Sequence, residues 1–320
     1  MEIRQATRQE VEQAQAEGKS IPPLVPLGMD LRSCASKEEM HRNFYATLKR
    51  GYRAINEVLE KSSGTVSLVG AGPSLQDTHK ELGGDILAVN SAIGFLLDHG
   101  IVPKWGMLWD AAEIVEKFVR PHPDITYLVA SRCHPKVFER LKNSNVLVWH
   151  AGGDHDIVEV MNRPEVIARQ KQPEPLINGG SAGVTRGIFV AVALGYMDLI
   201  IHGADSSYGP SGDTHVMGSL VPEKDTLISI GNDPPIWFRT TPEWTAQVEE
   251  YKQIYLFMLN HGVTMTVKGE GMLPMMHRLL VAKRELRGHE QFVKDMAEAA
   301  IERNALNEMA SKLAENMPCN

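Results

Sequence analysis

The stretch TVSLVGAGPSL, Thr65–Leu75, decides the fold. Thr65–Val69 is a short β-branched and apolar run of the kind that forms a buried strand. Gly70, Ala71 and Gly72 permit a tight turn, and Pro73 suits the first turn of a helix, where its missing N–H costs nothing. A strand, a glycine turn and a helix start, running through Ser74 and Leu75, direct unpaired backbone N–H groups at one spot. Such a spot attracts an anion, usually a phosphate. The same residues also fit a plain strand-to-helix turn. The pattern is neither G-x-G-x-x-G nor a P-loop, because it has no third glycine and no Lys-Ser/Thr pair.

Downstream, strands and helices alternate. Strands are expected at Asp85–Val89, Trp105–Trp109, Ile125–Ala130 and Val146–Trp149, with helical stretches at Ser91–His99, Ala111–Val119 and Lys136–Lys142. This predicts an α/β fold: a Rossmann-like, mostly parallel sheet with helices on both faces. Ligands of such sheets gather beyond the carboxyl ends of the strands. Asn90 and Asp110 fall at those ends, as does the glycine turn.

A second glycine block, NGGSAG at residues 178–183, brings Gly180, Ser181 and Gly183. Its glycines allow close backbone approach, and Ser181 can cap the helix Val184–Leu194, whose apolar character on nearly every side marks it as buried. The strand Leu199–Ile201 follows, and HGADSSYG puts Asp205 at one more carboxyl end. A polar loop, Gly209–Thr214, then carries His215. Residues 222–244, rich in proline and holding Trp237 and Trp244, read as an irregular lid or acceptor-side insertion. Thr245–Asn260 reads as an amphipathic helix, Gly262–Val267 as a last strand and Lys268–Pro274 as a loop. His150, Asp154, His155 and Asp156 match no standard metal-ligand spacing, so His150–Pro175 reads as a loop over the site.

Upstream, Ser36-Lys-Glu-Glu39 fits a capping box opening a helix that is expected to run to about Lys61. The chain thus divides into an N-terminal helical extension (1–62), a Rossmann-like domain (63–280) and a C-terminal helical segment (281–320), whose charged helices can pack on the domain or mediate self-association into a homo-oligomer. A net charge of −7 and scattered basic groups argue against nucleic acid as a partner. Cys34, Cys133 and Cys319 have no paired spacing, which fits a reducing cytoplasm and no structural zinc. The polar N-terminus carries no signal-peptide pattern, and without an apolar run of about 18 residues no transmembrane segment is expected.

Three blocks together resemble a known superfamily: VGAGPSL with ILAVNSA, then GGSAGVTRGIFVAVALGYMDLIIHGAD, then THVMG followed by VTMTVKGEG. They look like the hydroxymethylpterin diphosphokinase (MptE)-like proteins, which include the flagellar motility accessory factors, and are similar to the bacterial CMP-sialic-acid-dependent sialyltransferases. The resemblance covers roughly residues 64–275. It implies that Gly70, Gly72, Pro73 and Ser74 hold nucleotide phosphates, that Asn90 contacts the nucleotide and that Ser181 with Gly183 forms the opposite wall. It also implies that His215 activates an acceptor hydroxyl. Ala71 stands where many sialyltransferases carry a nucleotide-binding Asn, and their phosphate-facing tyrosines are not evident after Gly183.

Three functions follow as expectations. The first is a glycosyltransferase taking a nucleotide-activated, CMP-nonulosonate-like donor, with His215 as base and no metal cofactor. The second is a diphosphokinase moving pyrophosphate from ATP to a hydroxymethylpterin-like alcohol, with Mg²⁺ held by Asp110 and Asp205. The third is a non-catalytic nucleotide-binding or scaffold module.

Overall fold

The computed structural model describes residues 35–152, 160–167, 174–216, 227–231 and 236–296, with isolated positions among residues 4–17 and at 157 and 298. Contacts divide the chain into two compact units, Met1–Met276 and His277–Asn320.

The first unit is built on an eight-stranded sheet. In chain order its strands are β1 (Thr65–Val69), β2 (Asp85–Val89), β3 (Trp105–Leu108), β4 (Thr126–Ala130), β5 (Asn145–Ala151), β6 (Leu176–Ile177) and β7 (Asp198–His202). β8 (Leu227–Gly231) and β9 (Ile236–Thr240) belong to a separate antiparallel ribbon with Arg4–Gln5, and β10 (Thr264–Val267) returns to the main sheet. The spatial order is β10-β7-β1-β2-β3-β4-β5-β6, and every pairing is parallel. The chain therefore winds outward from β1 through β6, then returns to lay β7 along the other edge of β1. Their register pairs Val69 with His202. That reversal is the topological switch point of an open α/β sheet.

The strands form because their residues are apolar at consecutive positions, so both faces of the sheet can be covered. β3 is buried at every residue, and β1, β4 and β5 are buried over their carboxyl-terminal halves. The helices that cover them include α1 (Lys37–Arg50), α2 (Leu75–Thr78), α3 (Ala92–Asp98), α4 (Pro135–Arg140), α5 (Gly183–Leu194) and α6 (Pro242–Asn260). A further helix, Met272–Arg287, runs across the boundary of the two units, and within the second unit Arg287 pairs with Asp295 at 3.5 Å.

The capping box at Ser36 forms as its residues dictate: Glu39 N–H donates to Ser36 Oγ and Ser36 N–H donates to the Glu39 carboxylate. α1 then stops at Arg50, eleven residues short of the expected end. Gly51 takes a left-handed conformation (φ 63°), the usual way to close a helix. Beyond it the chain is pulled to the sheet edge, where Ala54 bridges Val148 and Arg53 O accepts from Val148 N–H. Asn43 docks α1 by donating its amide to the carbonyls of Ala111 and Arg132, both 3.1 Å.

Other local expectations shift for similar reasons. Glu113–Phe118 winds as a 3₁₀ helix, and the helix expected from Pro73 begins at Leu75. The lid region contains a regular ribbon, β8 with β9, although residues 217–226 and 232–235 lie outside the described residues. The expected loop Lys268–Pro274 gives way to a helix from Met272. His150 belongs to β5, buried, with its Nε2 2.6 Å from Glu174 Oε2, whereas Asp154, His155 and Asp156 lie outside the described residues.

His202 on β7 has none of its surface exposed, and burial pushes its imidazole down to about 4, with Lys268 adding and Glu81 opposing. An unfolded histidine titrates near 6.5. Below that pH the unfolded chain takes up a proton that the native state refuses until about pH 4, so stability held above pH ~6.5 is lost on acidification. His277, also pushed down to about 4 by burial, adds a loss of the same sign. Replacing His202 with leucine is expected to spare roughly 2 kcal/mol of the loss between pH 7.5 and pH 5, read from urea midpoints. The same acid loss in both proteins would refute the assignment.

Candidate functional site

The carboxyl ends of β1, β2, β3 and β7 surround a cavity of about 620 Å³, inside the range of roughly 300–1,000 Å³ typical of small-molecule sites. Trp244 and Gln247 of α6 and Leu273 line part of its wall, and the rest comes from several separate parts of the chain. They are the glycine turn after β1, the residues after β2 and β3, the start of α5 and the segment from Gly203 to His215.

The glycine turn is shaped by β7. Gly70 N–H donates to His202 O and Gly72 N–H to Gly203 O, both at 2.8 Å, and Ser74 N–H donates to Asp205 Oδ2 at 3.0 Å. Those donors, expected to face an anion, are spent inside the protein. The glycines are required by contact: a Cβ on Gly70 would stand 2.5 Å from Gly203 O, and one on Gly72 would stand 2.2 Å from Asp205 Oδ2. Ala71 remains at the cavity wall, and its carbonyl accepts from Val216 N–H at 2.9 Å, which hangs the His215 segment over the turn.

Asn90 has a left-handed backbone (φ 49°), as does Ser206 (φ 49°), and both line the cavity. Such a conformation costs a non-glycine residue of order 1–3 kcal/mol and persists only where surroundings impose it. At Asn90 they do. Its N–H donates to Met107 O (2.9 Å), its Oδ1 accepts from Trp109 N–H (3.1 Å) and its Nδ2 donates to Asp110 Oδ2 (2.8 Å). One side chain thus ties the ends of β2 and β3 together and orients Asp110.

α5 begins at Gly183 with Ala182 as its cap, so Ser181 does not cap the helix. Ala182 N–H is met by Thr185 Oγ1 (3.0 Å), and Ser181 instead donates its N–H (3.0 Å) and hydroxyl (2.7 Å) to Glu250 Oε2 on α6. The cap changes because Gly179 and Gly180, both at positive φ, bend the chain sharply just before the helix. Gly183 and Val184 line the cavity, and first-turn N–H groups of a helix have no intrahelical acceptor. The helix start that lines the cavity is therefore that of α5, while the N–H groups of Gly70, Gly72 and Ser74 are spent on His202, Gly203 and Asp205.

His215 is half-buried and lines the cavity. Burial lowers its imidazole below the ordinary histidine range, and the Asp110 carboxylate partly opposes that. The shift favours the neutral imidazole, the form that accepts a proton. Asp205 is only 4% exposed, and burial raises its carboxyl above the usual range against the hydrogen bonding of Ser74.

Nine of the residues singled out in the sequence line this cavity: Gly70, Gly72, Pro73, Asn90, Asp110, Ser181, Gly183, Asp205 and His215. Three do not. Leu75 is a fully buried core residue, Ser74 faces Asp205, and Gly180 supports the turn, where a Cβ would stand 2.3 Å from Arg186 N. Sequence reasoning passed over Trp109, Thr185, Gly203, Ser206 and Gln247, which also line the cavity. Gly203 alone carried a signal, as a glycine directly after a strand.

The profile of the family described as 6-hydroxymethylpterin diphosphokinase MptE-like matches residues 40–211, more than half of the chain. No curated protein matches. Among solved structures, a MAf glycosyltransferase from Magnetospirillum magneticum AMB-1 is similar at 17% identity and a TM-score of 0.49, over 84% of this chain and 45% of that one. This chain thus spans less than half the length of that structure. On the extent of the profile match, the chain belongs to the family described as 6-hydroxymethylpterin diphosphokinase MptE-like.

Proposed function

We propose that this protein is a nucleotide-dependent transferase that moves a group from a nucleotide-activated donor to an acceptor hydroxyl, with His215 as general base. The observation that carries the reading is convergence: Gly72, Asn90, Asp110, Ser181 and His215, spread over more than 140 positions of sequence, line one cavity at a switch point. In the reaction, a neutral imidazole nitrogen of His215 takes the proton of the acceptor hydroxyl as its oxygen attacks the donor's electrophilic centre. The bond from that centre to the nucleotide phosphate breaks, and the phosphate leaves with the electron pair. N–H groups of the first turn of α5, with the positive end of its dipole, meet the developing charge. Asp110 holds His215 by its charge and is itself oriented by Asn90.

The favoured donor is a sugar nucleotide of the CMP-nonulosonate type, the glycosyltransferase reading. The family's description favours a second reading, transfer of pyrophosphate from ATP to a hydroxymethylpterin-like alcohol. That reading would call for Mg²⁺ on Asp110 and Asp205. Asp110 fits, being at the cavity wall. Asp205 does not: it is buried and spends Oδ2 on Ser74 N–H, where it holds the turn. A thermal-shift panel of CMP, CDP and ATP, each with and without Mg²⁺, separates the two. Metal-independent stabilisation by CMP or CDP is expected, since saturation at about 100 times Kd contributes about 2.7 kcal/mol. Stabilisation by ATP alone, and only with Mg²⁺, would hand the site to the second reading. No response to any nucleotide would overturn both.

A further inference from the structure

A second group of polar side chains lies one ring away from the cavity. Trp109, at the cavity wall, stacks on Trp149 with centroids 5.6 Å apart. The guanidinium carbons of Arg132 and Arg186 stand 4.4 and 4.7 Å from the centre of the Trp109 ring. Arg132 follows the end of β4, and Arg186 lies in the first turn of α5. Two like charges thus share one indole. Arg186 is only 7% exposed, and burial, then the charge of Arg132, push it down to about 10.

Nothing among the described residues neutralises the pair. Among the described residues neither arginine forms an ion pair, and the carboxylate whose charge Arg186 feels, Glu250, gives its Oε2 to Ser181 and Thr185. Arg186 donates Nη1 to Ile177 O at 2.7 Å, but its Nε, the Nε of Arg132 and the hydroxyl of Ser131 are buried without a hydrogen-bond partner. Ser131 is 1% exposed and is fixed by its N–H to Trp149 O at 2.8 Å. Buried donors left unmade are costly, and a buried cation without a counter-ion more so. Two forked guanidiniums over one indole, with the unpartnered Ser131 hydroxyl next in sequence to Arg132, present donors in their charged groups, the chemistry that recognises planar or tetrahedral oxyanions.

We infer that Arg132, Arg186 and Ser131 form a second oxyanion site beside Trp109, which takes a carboxylate or phosphate group of a ligand. The inference holds for the bare protein and does not require the cavity to bind a nucleotide. Where it does, a substrate with two anionic groups would span Trp109.

Trp109 makes the site visible in tryptophan fluorescence. The wild-type protein is titrated with sodium phosphate and, separately, sodium acetate, with sodium chloride holding ionic strength constant. A saturable change is expected with at least one of the two oxyanions, and the tighter one names the group. Arg132→Gln, checked for folding by circular dichroism, is expected to weaken it at least tenfold. Ser131→Ala, nearly isosteric, is expected to weaken it severalfold and decides the matter if Arg132→Gln does not fold. No saturable response in the wild type, or unchanged midpoints in the folded variants, would overturn the proposal. Loss of the response on saturation with CMP would overturn it too, by assigning the anion to the main cavity. CMP stabilisation itself, unaltered in Ser131→Ala, reports on the transferase reading separately.

Discussion

Replacing His215 with alanine is expected to lower transferase turnover by about 10²–10⁴-fold, the usual worth of a general base, while nucleotide stabilisation stays near the wild-type value. The split follows from geometry. The nucleotide phosphate is assigned to the start of α5, whereas His215 lines the cavity from a separate segment, pinned by Val216 N–H to Ala71 O. The pH profile adds a second readout. Burial holds the imidazole below the ordinary histidine range, so the wild-type rate should persist below pH ~6.5 and fall only where His215 gains its proton. His215→Ala should lack that acidic limb. Unchanged turnover in the variant would remove His215 from the mechanism. A parallel loss of nucleotide binding would make it a binding residue instead.

Gly203→Ala is expected to destabilise the fold by about 3–5 kcal/mol, in the class of backbone-strain and overpacking substitutions, and to abolish nucleotide binding. At Gly203 the backbone is left-handed (φ 60°), and a Cβ would stand 2.3 Å from Gly70 O and 2.9 Å from Gly70 C. Both obstacles are backbone, and Gly70 is itself held by His202 O, so neither can step aside. Gly262→Ala provides the comparison. Gly262 is also left-handed (φ 74°) but has nothing within 4 Å, so it isolates the conformational cost, roughly 1–2 kcal/mol. Urea midpoints at constant slope measure both. If Gly203→Ala costs no more than Gly262→Ala, the close packing of the two glycine turns is not what holds the site.

The two glycine turns also show the limits of local reading. Glycines at residues 70 and 72 were legible as a sharp strand-to-helix turn, and the turn forms. Their N–H groups were expected to face a ligand, and most face β7 instead, because an incoming strand supplies carbonyls where solvent or phosphate would otherwise stand. Ser181 was legible as a capping residue by type, yet Glu250, about seventy positions away, takes its donors. Trp109 and Arg186 carried no signal. A tryptophan at a strand end and an arginine in an apolar helix acquire meaning only from each other.

The amino-acid sequence by itself determined the succession of buried strands and helices, the carboxyl-end positions of Asn90, Asp110 and Asp205, and the places where only glycine allows the chain to turn. Each is a short-range property, set by apolar periodicity and by the steric freedom of single residues. Tertiary structure alone decided that β7 returns beside β1. With that pairing it set which N–H groups are consumed, which helix start faces the cavity, and how Asp205 comes to hold the turn. Those outcomes depend on hydrogen-bond partners more than a hundred residues apart, and no local pattern encodes which distant carbonyl will arrive.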